Sequence, residues 1–217
     1  MTICGIDEAG RGPVIGPLVM CGVLIQEGEE TQLLKLGVKD SKLLSAKQRE
    51  RICEQLKQKY KYCVVEIPPA EIDSAVNGEG PGNLNWLEAD KAAEIINTLQ
   101  PRQAILDCPS PNIKAYTQYL VQRLKDKSTI MQCAHHADRD FPVVGAASII
   151  AKVTRDARIE EIKKRVGVDF GSGYVADPVT AEFVKSSWSK FPEIFRHSWA
   201  PYQKLVKEFT QGRLDAW

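Results

Sequence analysis

Several features are absent from this chain, and each absence narrows the reading. None of the six cysteines forms a Cys-x-x-Cys pair; they stand singly at 4, 21, 53, 63, 108 and 133. Most lie in or beside apolar strand-like runs such as "YCVVEI", so buried reduced thiols of a cytoplasmic protein are expected rather than disulfides or zinc. No apolar run approaches the roughly 18 residues needed to span a bilayer, and no membrane partner is expected. The N-terminus "MTICGIDEAG" lacks the basic segment and long apolar stretch of a secretion signal. There is no GxxxxGKS/T phosphate loop, no internal repeat and no low-complexity linker. Net charge is only +1, which announces no polyanion partner by itself.

What is present is a globular chain of 217 residues, 43 % hydrophobic, with enough apolar mass for a sizeable core. Its charge is unevenly spread. Residues 35–61 hold nine basic and three acidic side chains, whereas 66–94 hold one basic and seven acidic. The basic stretch is able to meet phosphates, and equally reads as a solvated helix face.

The pattern predicts strands over "TICGIDE", "LVMCGVLIQ", "YKYCVVEI", "QAILD" and "STIMQCA". Pro68 and Pro69 close the third. Helices are predicted for "SAKQRERICEQLKQKY", with Ser45 as N-cap, and for "LNWLEADKAAEIINTL", with an apolar stripe from Leu87 to Leu99. "IKAYTQYLVQRL" is a further helix. "PVVGAASIIAKVTRDARIEEIKKR" is a long one, opened by Pro142 and apolar nearly all round in its first half, hence central and buried. From Asp177 onward the chain reads as helical and aromatic. Three early strands followed by alternating helices and strands predict an α/β sheet layer of mixed direction.

Carboxylates gather at the predicted strand ends. Asp7 and Glu8 end the first strand, Asp107 ends "QAILD", and Asp138 follows "STIMQCA". Hard divalent cations such as Mg²⁺ take oxygen ligands and accept substrate phosphate oxygens. Two such ions about 4 Å apart can hold the attacking and leaving oxygens of a phosphodiester. Neighbouring strand residues point to opposite faces, so Asp7 and Glu8 serve one site only if the strand bends at Glu8. The glycines that follow make a bend possible.

The next segment, "GRGPVIG", is not a dinucleotide fingerprint: Gly10, Gly12 and Gly16 make GxGxxxG, with Pro13 in the way. Glycine offers bare backbone instead, with N–H and C=O groups within reach of a ribose hydroxyl or phosphate.

Taken in order, "IDEAGRGPVIGP", "VKDSKLLS", "NLNWLE", "ILDCPSP", "HHADRDFPVVGAASIIAKVTRD" and "DFGSGYVADP" resemble the motifs of type 2 ribonuclease H (ribonuclease HII), most closely its archaeal members. The resemblance spans about residues 3 to 178. It implies a ribonuclease H-like fold: a five-stranded mixed sheet, flanking helices and a helical C-terminal region. That places a catalytic domain over 1–177 and a helical region over 178–217. It implies endonucleolytic cleavage of RNA in RNA–DNA hybrids, and cutting 5′ of single ribonucleotides in duplex DNA to leave 3′-OH and 5′-phosphate ends. The family's four metal-binding carboxylates, which hold two Mg²⁺ or Mn²⁺ ions, map onto Asp7, Glu8, Asp107 and Asp138. Its glycine–arginine–glycine turn maps onto Gly10, Arg11 and Gly12, and its substrate-sensing tyrosine onto Tyr174.

The 2′-OH that separates RNA from DNA both donates and accepts, which suits a glycine backbone and a tyrosine hydroxyl. Lys42 and Lys152 are candidates for phosphate contacts. Ser148, one helical turn before Lys152, lies on the same face. His135 and His136 are expected in structural roles beside Asp138. A non-catalytic hybrid-binding module would be expected to lack one or more of the carboxylates, and all four positions are occupied.

The tail "TQGRLDAW" places Gln211, Leu214 and Trp217 at i, i+3 and i+6, which stack on one side of a 3₁₀ turn. This resembles the glutamine–aliphatic–aromatic box by which replication proteins bind a sliding clamp, shortened to one aromatic. Monomeric enzyme is expected otherwise.

Overall fold

The structure, a computed structural model, describes residues 1–38, 44–80 and 82–214, with side chains described as far as 208. Five strands form one mixed sheet in the order β3-β2-β1-β4-β5. β1 (Thr2–Ala9) runs antiparallel to β2 (Leu18–Gln26), with Thr2 opposite Gln26 and Ala9 opposite Val19. β4 (Gln103–Asp107) is parallel to β1, and β5 (Ile130–Ala134) is parallel to β4. β3 (Lys61–Ile67) lies at the other edge. This is the five-stranded mixed sheet expected from the sequence.

Nine α-helices accompany it among the described residues: α1 (Glu30–Leu36), α2 (Ala46–Lys59), α3 (Pro69–Val76), α4 (Leu84–Leu99), α5 (Ile113–Arg123), α6 (Ala137–Asp140), α7 (Pro142–Val166), α8 (Pro178–Ser187) and α9 (Ala200–Leu214). Ser45 opens α2 with a capping box, its hydroxyl accepting from the Gln48 N–H while the Gln48 side chain accepts from the Ser45 N–H. α3 was not foreseen. Pro68 and Pro69 do stop β3, but Pro69 also begins a helix, where its missing N–H costs nothing.

The chain forms two compact units, each built from three separate segments. The first comprises Met1–Ala9, Val19–Glu66 and Leu84–Thr154. Its main core joins one face of the sheet (Ile3, Val19, Cys21, Val23, Ile105) to α7 (Val143, Val144, Ala147, Ile150) and to α1 and α2. Gly5 is where α7 comes closest: a Cβ there would lie 2.3 Å from the Val143 carbonyl carbon. On the opposite face a Cβ at Gly22 would lie 2.3 Å from Ile95 Cγ2 of α4. Both glycines exist for helix packing, not for turning. All six cysteines are free thiols.

The second unit comprises Gly10–Leu18, Ile67–Asn83 and Arg155–Trp217. Its core is aromatic, with Phe170, Phe183, Phe195 and Tyr202 around Val14 and Ile15. The expected boundary at 177 therefore does not describe the packing. The Gly10–Leu18 excursion leaves the sheet and is stitched to late residues by main-chain bonds: Val14 N–H to Gly173 O (2.8 Å), Gly16 N–H to Ile194 O (2.9 Å) and Arg196 N–H to Val14 O (2.9 Å). Nor is the C-terminal region helical throughout. Between α8 and α9 it holds one 3₁₀ turn (Pro192–Ile194) and an extended stretch in which Phe195 bridges Ile15.

Candidate active site

In the first unit, β1 and β4 carry their carboxylates just past the last rung of their parallel ladder, Ile6 opposite Leu106. Asp7 follows Ile6 and Asp107 follows Leu106. By strand alternation both side chains lie on the α7 face, as Gly5 and Ile105 do. Asp7 is 5 % exposed. Its Oδ1 accepts the Glu8 N–H at 2.8 Å, and it is hydrogen-bonded by the Ser148 hydroxyl of α7. Asp107 Oδ1 accepts the Ala137 N–H at 2.9 Å, tying β4 to the short helix that carries the buried Asp138.

The three aspartates feel one another. Burial raises Asp7 from 3.8 to about 7; the neighbouring charges of Asp107 and Asp138 add to the rise, and the bonds from Ser148 and Glu8 oppose it. Burial also raises Asp107, with Asp138 adding to it and the Ala137 N–H restraining it. Carboxylates gathered in this way resist ionising together.

Glu8 differs from expectation. The strand does not end or bend there: β1 stays paired with β2 through Glu8 opposite Met20 and Ala9 opposite Val19. Alternation sends the Glu8 side chain to the α4–α5 face. There its charge is felt by Cys108 and by the buried Tyr116. Glu8 thus approaches the end of β4 from the opposite face to Asp7.

Ser148, the substrate-binding candidate on the face of Lys152, bonds Asp7. It is 6 % exposed, because the first half of α7 is buried against the sheet. Lys152, one turn later, is half-buried. Lys42 lies outside the described residues. His135 Nδ1 lies 3.1 Å from Cys108 O, and His136, at φ 60°, forms the left-handed corner before α6. Among the described residues no three His, Cys, Asp or Glu side chains close into a ready-made metal cage.

In the second unit, Gly10, Arg11, Gly12 and Tyr174 come together. Gly10 takes φ +83°, a conformation that glycine adopts without strain. A Cβ on Gly12 would sit 3.3 Å from Tyr174 Cε1. The Tyr174 ring is 41 % exposed, with the Arg155 guanidinium 5.6 Å from its centre. Its loop is held by bonds from Ser172 N–H to Asp177 Oδ2 (2.7 Å) and from Gly173 N–H to Thr180 Oγ1 (3.0 Å). Arg155 Nη2 donates to Ser172 O at 3.0 Å.

Each carbonyl of the turn already accepts one bond from within the protein. Arg196, fully buried, donates from Nε to Gly16 O (3.0 Å), from Nη1 to Arg11 O (2.9 Å) and from Nη2 to Gly10 O (2.6 Å). Trp199 Nε1 donates to Gly12 O at 3.1 Å. In a planar trans peptide the next N–H points away from the carbonyl. The N–H groups of Arg11 and Gly12 therefore face away from Arg196. Sequence reasoning missed Arg196 and Trp199; a lone arginine inside the apolar "EIFRHSW" was the available signal.

At the tail, α9 runs to Leu214, so the described backbone from Gln211 to Leu214 is α-helical. Trp217 lies outside the described residues.

Residues 4–202 match the family profile described as Ribonuclease HII. The chain belongs to the ribonuclease HII family. It is 45 % identical over 216 residues to Ribonuclease HII of Methanocella arvoryzae, covering 98 % of this chain and 95 % of that one. It is similar to the crystal structure of ribonuclease H2 from Pyrococcus horikoshii, at 38 % identity and a TM-score of 0.87, covering 97 % and 100 % of the two chains. It is also similar to the ribonuclease HII in a PCNA:RNase HII complex from Archaeoglobus fulgidus, at 38 % identity and a TM-score of 0.82, covering 92 % and 95 %. As a member of the family, the chain is a hydrolytic endoribonuclease for the RNA of RNA–DNA hybrids.

Proposed function

We propose that this ribonuclease also cuts duplex DNA on the 5′ side of a single embedded ribonucleotide, using two divalent cations. The observation that carries the metal reading is the frustration of Asp7. Its carboxyl is buried, pushed up to about 7 and crowded by Asp107 and Asp138. Cation binding relieves both burial cost and repulsion. The all-oxygen donor set and the open arrangement suit Mg²⁺ or Mn²⁺, which keep waters and take phosphate oxygens instead of filling a closed cage. Bound there, two such ions would supply Lewis acidity at the scissile phosphate and a more acidic attacking water.

In this reading the chain's own groups divide the remaining work. Asp7, Asp107 and Asp138 are the metal-binding carboxylates; Glu8, on the other face because the strand does not bend, joins them past the end of β4, where the sheet no longer separates the two faces. Ser148 fixes the Asp7 carboxylate, and the Ala137 N–H fixes Asp107. The Arg11 and Gly12 N–H groups, which face away from Arg196, meet the ribose 2′-OH. Tyr174, half-exposed and backed by Arg155, hydrogen-bonds the same sugar and stacks on the next. Lys42 and Lys152 contact backbone phosphates. The test is a DNA duplex with one embedded ribonucleotide, incubated with Mg²⁺, Mn²⁺ or EDTA, with the cut mapped. A metal-dependent cut leaving 3′-OH and 5′-phosphate ends is expected; its absence overturns the proposal.

The Archaeoglobus relative's complex with PCNA supports a sliding clamp as a partner of this chain too. The contact assigned to it here is the tail box Gln211, Leu214 and Trp217, on its sequence pattern alone. Removing 211–217 is expected to abolish clamp binding in a pull-down and to leave hybrid cleavage intact. Retained binding would refute the tail as the contact.

A further inference from the structure

Asp73 of α3 stands apart from every residue so far given a role, yet it is bonded to the segment that clamps the glycine turn. Its Oδ2 accepts the His197 N–H at 2.8 Å. Its Oδ1 accepts the Ser198 N–H at 2.9 Å and the Ser198 hydroxyl at 2.6 Å. Three donors from two consecutive residues converge on one carboxylate, more than 120 residues distant in the chain. Those residues stand between Arg196 and Trp199, whose side chains hold the carbonyls of Gly10, Arg11, Gly12 and Gly16.

Residues 196–199 form a single turn closed by one main-chain bond, Trp199 N–H to Arg196 O at 3.2 Å. The two peptide N–H groups at its centre, His197 and Ser198, are held from outside by Asp73. Arg196 and Trp199 are three residues apart and reach neighbouring carbonyls of one turn. Rotating the peptides of His197 and Ser198 would move the two side chains relative to each other and so twist the turn. The carboxylate fixes both peptides at once. Charge-assisted bonds to a carboxylate are roughly twice as strong as neutral ones and are directional.

We propose that Asp73 is a positioning residue for ribose discrimination. By locking His197 and Ser198 it sets the spacing of Arg196 and Trp199, which in turn aims the Arg11 and Gly12 N–H groups. The proposal rests on the reading of that turn as the sugar sensor. Asp73 touches no substrate in this account; it acts only through the 196–199 segment.

The test is equilibrium binding by fluorescence anisotropy, with the full chain in EDTA. The two probes are a DNA duplex with one central ribonucleotide and the same duplex made wholly of DNA. Asp73→Ala is expected to narrow the ribo-to-deoxy affinity ratio by about tenfold, since a misplacement far from the chemistry has effects of that order or larger. Affinity for the all-DNA duplex stays within about twofold, because sequence-independent phosphate contacts dominate it. Ser198→Ala removes one of the three bonds, leaves the two main-chain bonds, and is expected to narrow the ratio by about threefold. It keeps the proposal testable if Asp73→Ala does not fold.

Equal loss of affinity for both duplexes would reduce Asp73 to a general structural role and overturn the proposal. Tyr174→Phe separates the two levels of the argument. If Tyr174→Phe narrows the ratio and the Asp73 and Ser198 variants leave it unchanged, the Asp73 role is wrong and the sugar-sensor reading stands. If all three leave it unchanged, the sugar-sensor reading itself has failed, and the proposal falls with it.

Discussion

The first unit gathers negative side chains: Asp7 and Asp107 share one face of the sheet, and burial together with the charge of Asp138 raises the proton affinity of both. The second unit gathers neutral oxygens: the carbonyls of Gly10, Arg11 and Gly16 surround one buried guanidinium. In the first, partners of like charge are left in tension that a cation would release. In the second, donor and acceptors already match, and the turn is finished before any substrate arrives. One unit waits for its ligand, and the other is preorganised for it. Substitutions should therefore behave in opposite ways: removing a group from the first should spare the fold and end chemistry, and removing one from the second should cost the fold.

The largest expected effect is at Asp107. Asp107→Asn should lower hybrid cleavage in Mg²⁺ by roughly a hundredfold or more, comparable to losing one preorganised electrostatic group. Its melting temperature in EDTA should be unchanged or higher, because a repelling charge is gone. Cleavage at the wild-type rate would remove Asp107 from the site.

Arg196→Met should do the reverse. Leaving three buried carbonyls without their donor should cost about 3 kcal/mol, or roughly 10 °C of melting temperature for a chain of this size. A melting curve superimposable on wild type would show that the clamp carries no stability.

A third effect depends on pH. Asp7 rises from 3.8 unfolded to about 7 folded, so within that window the folded chain keeps a proton that the unfolded chain has released. Stability in EDTA should then fall as pH rises from about 4 to 7 and level off above it. Asp7→Asn should flatten that slope, and melts from pH 4.5 to 8 of both proteins check it. An identical slope in the variant would assign the effect to other groups.

The smallest effect is at Gly12. Gly12→Ala brings a methyl against the Tyr174 ring edge at 3.3 Å, which the ring can yield to by tilting. Stability should change by no more than about 0.5 kcal/mol, while ribose preference in cleavage falls about twofold to threefold. A stability loss as large as that of Arg196→Met would mean the turn cannot adjust at all.

Much of the first unit was legible because its signals are side chains in periodic settings. Apolar runs marked the five strands, Ser45 marked a helix start, and carboxylates at strand ends stood out against their surroundings. Glu8 misled because strand alternation argued for a bend, and the β2 ladder overrules it through Ala9. The second unit was less legible because its interactions run through the main chain. Arg196 pairs with carbonyls, which every residue possesses and no sequence pattern marks. Aromatic residues after Asp177 suggested helix packing, yet Phe191, Phe195 and Trp199 lie in or beside non-helical backbone. Pro69 was read as an end when it was also a beginning.

The 186 residues that separate Gly10 from Arg196 also order events in time. Gly10 leaves the ribosome 186 residues ahead of Arg196. At synthesis rates of about 5–20 residues per second, the glycine turn waits roughly 10–40 s for its clamp. Asp107 and Asp138 are both made within that interval, so the four acids are complete before the clamp that holds the turn. A message truncated shortly before residue 196 would leave a chain with its acids in place and its turn unheld.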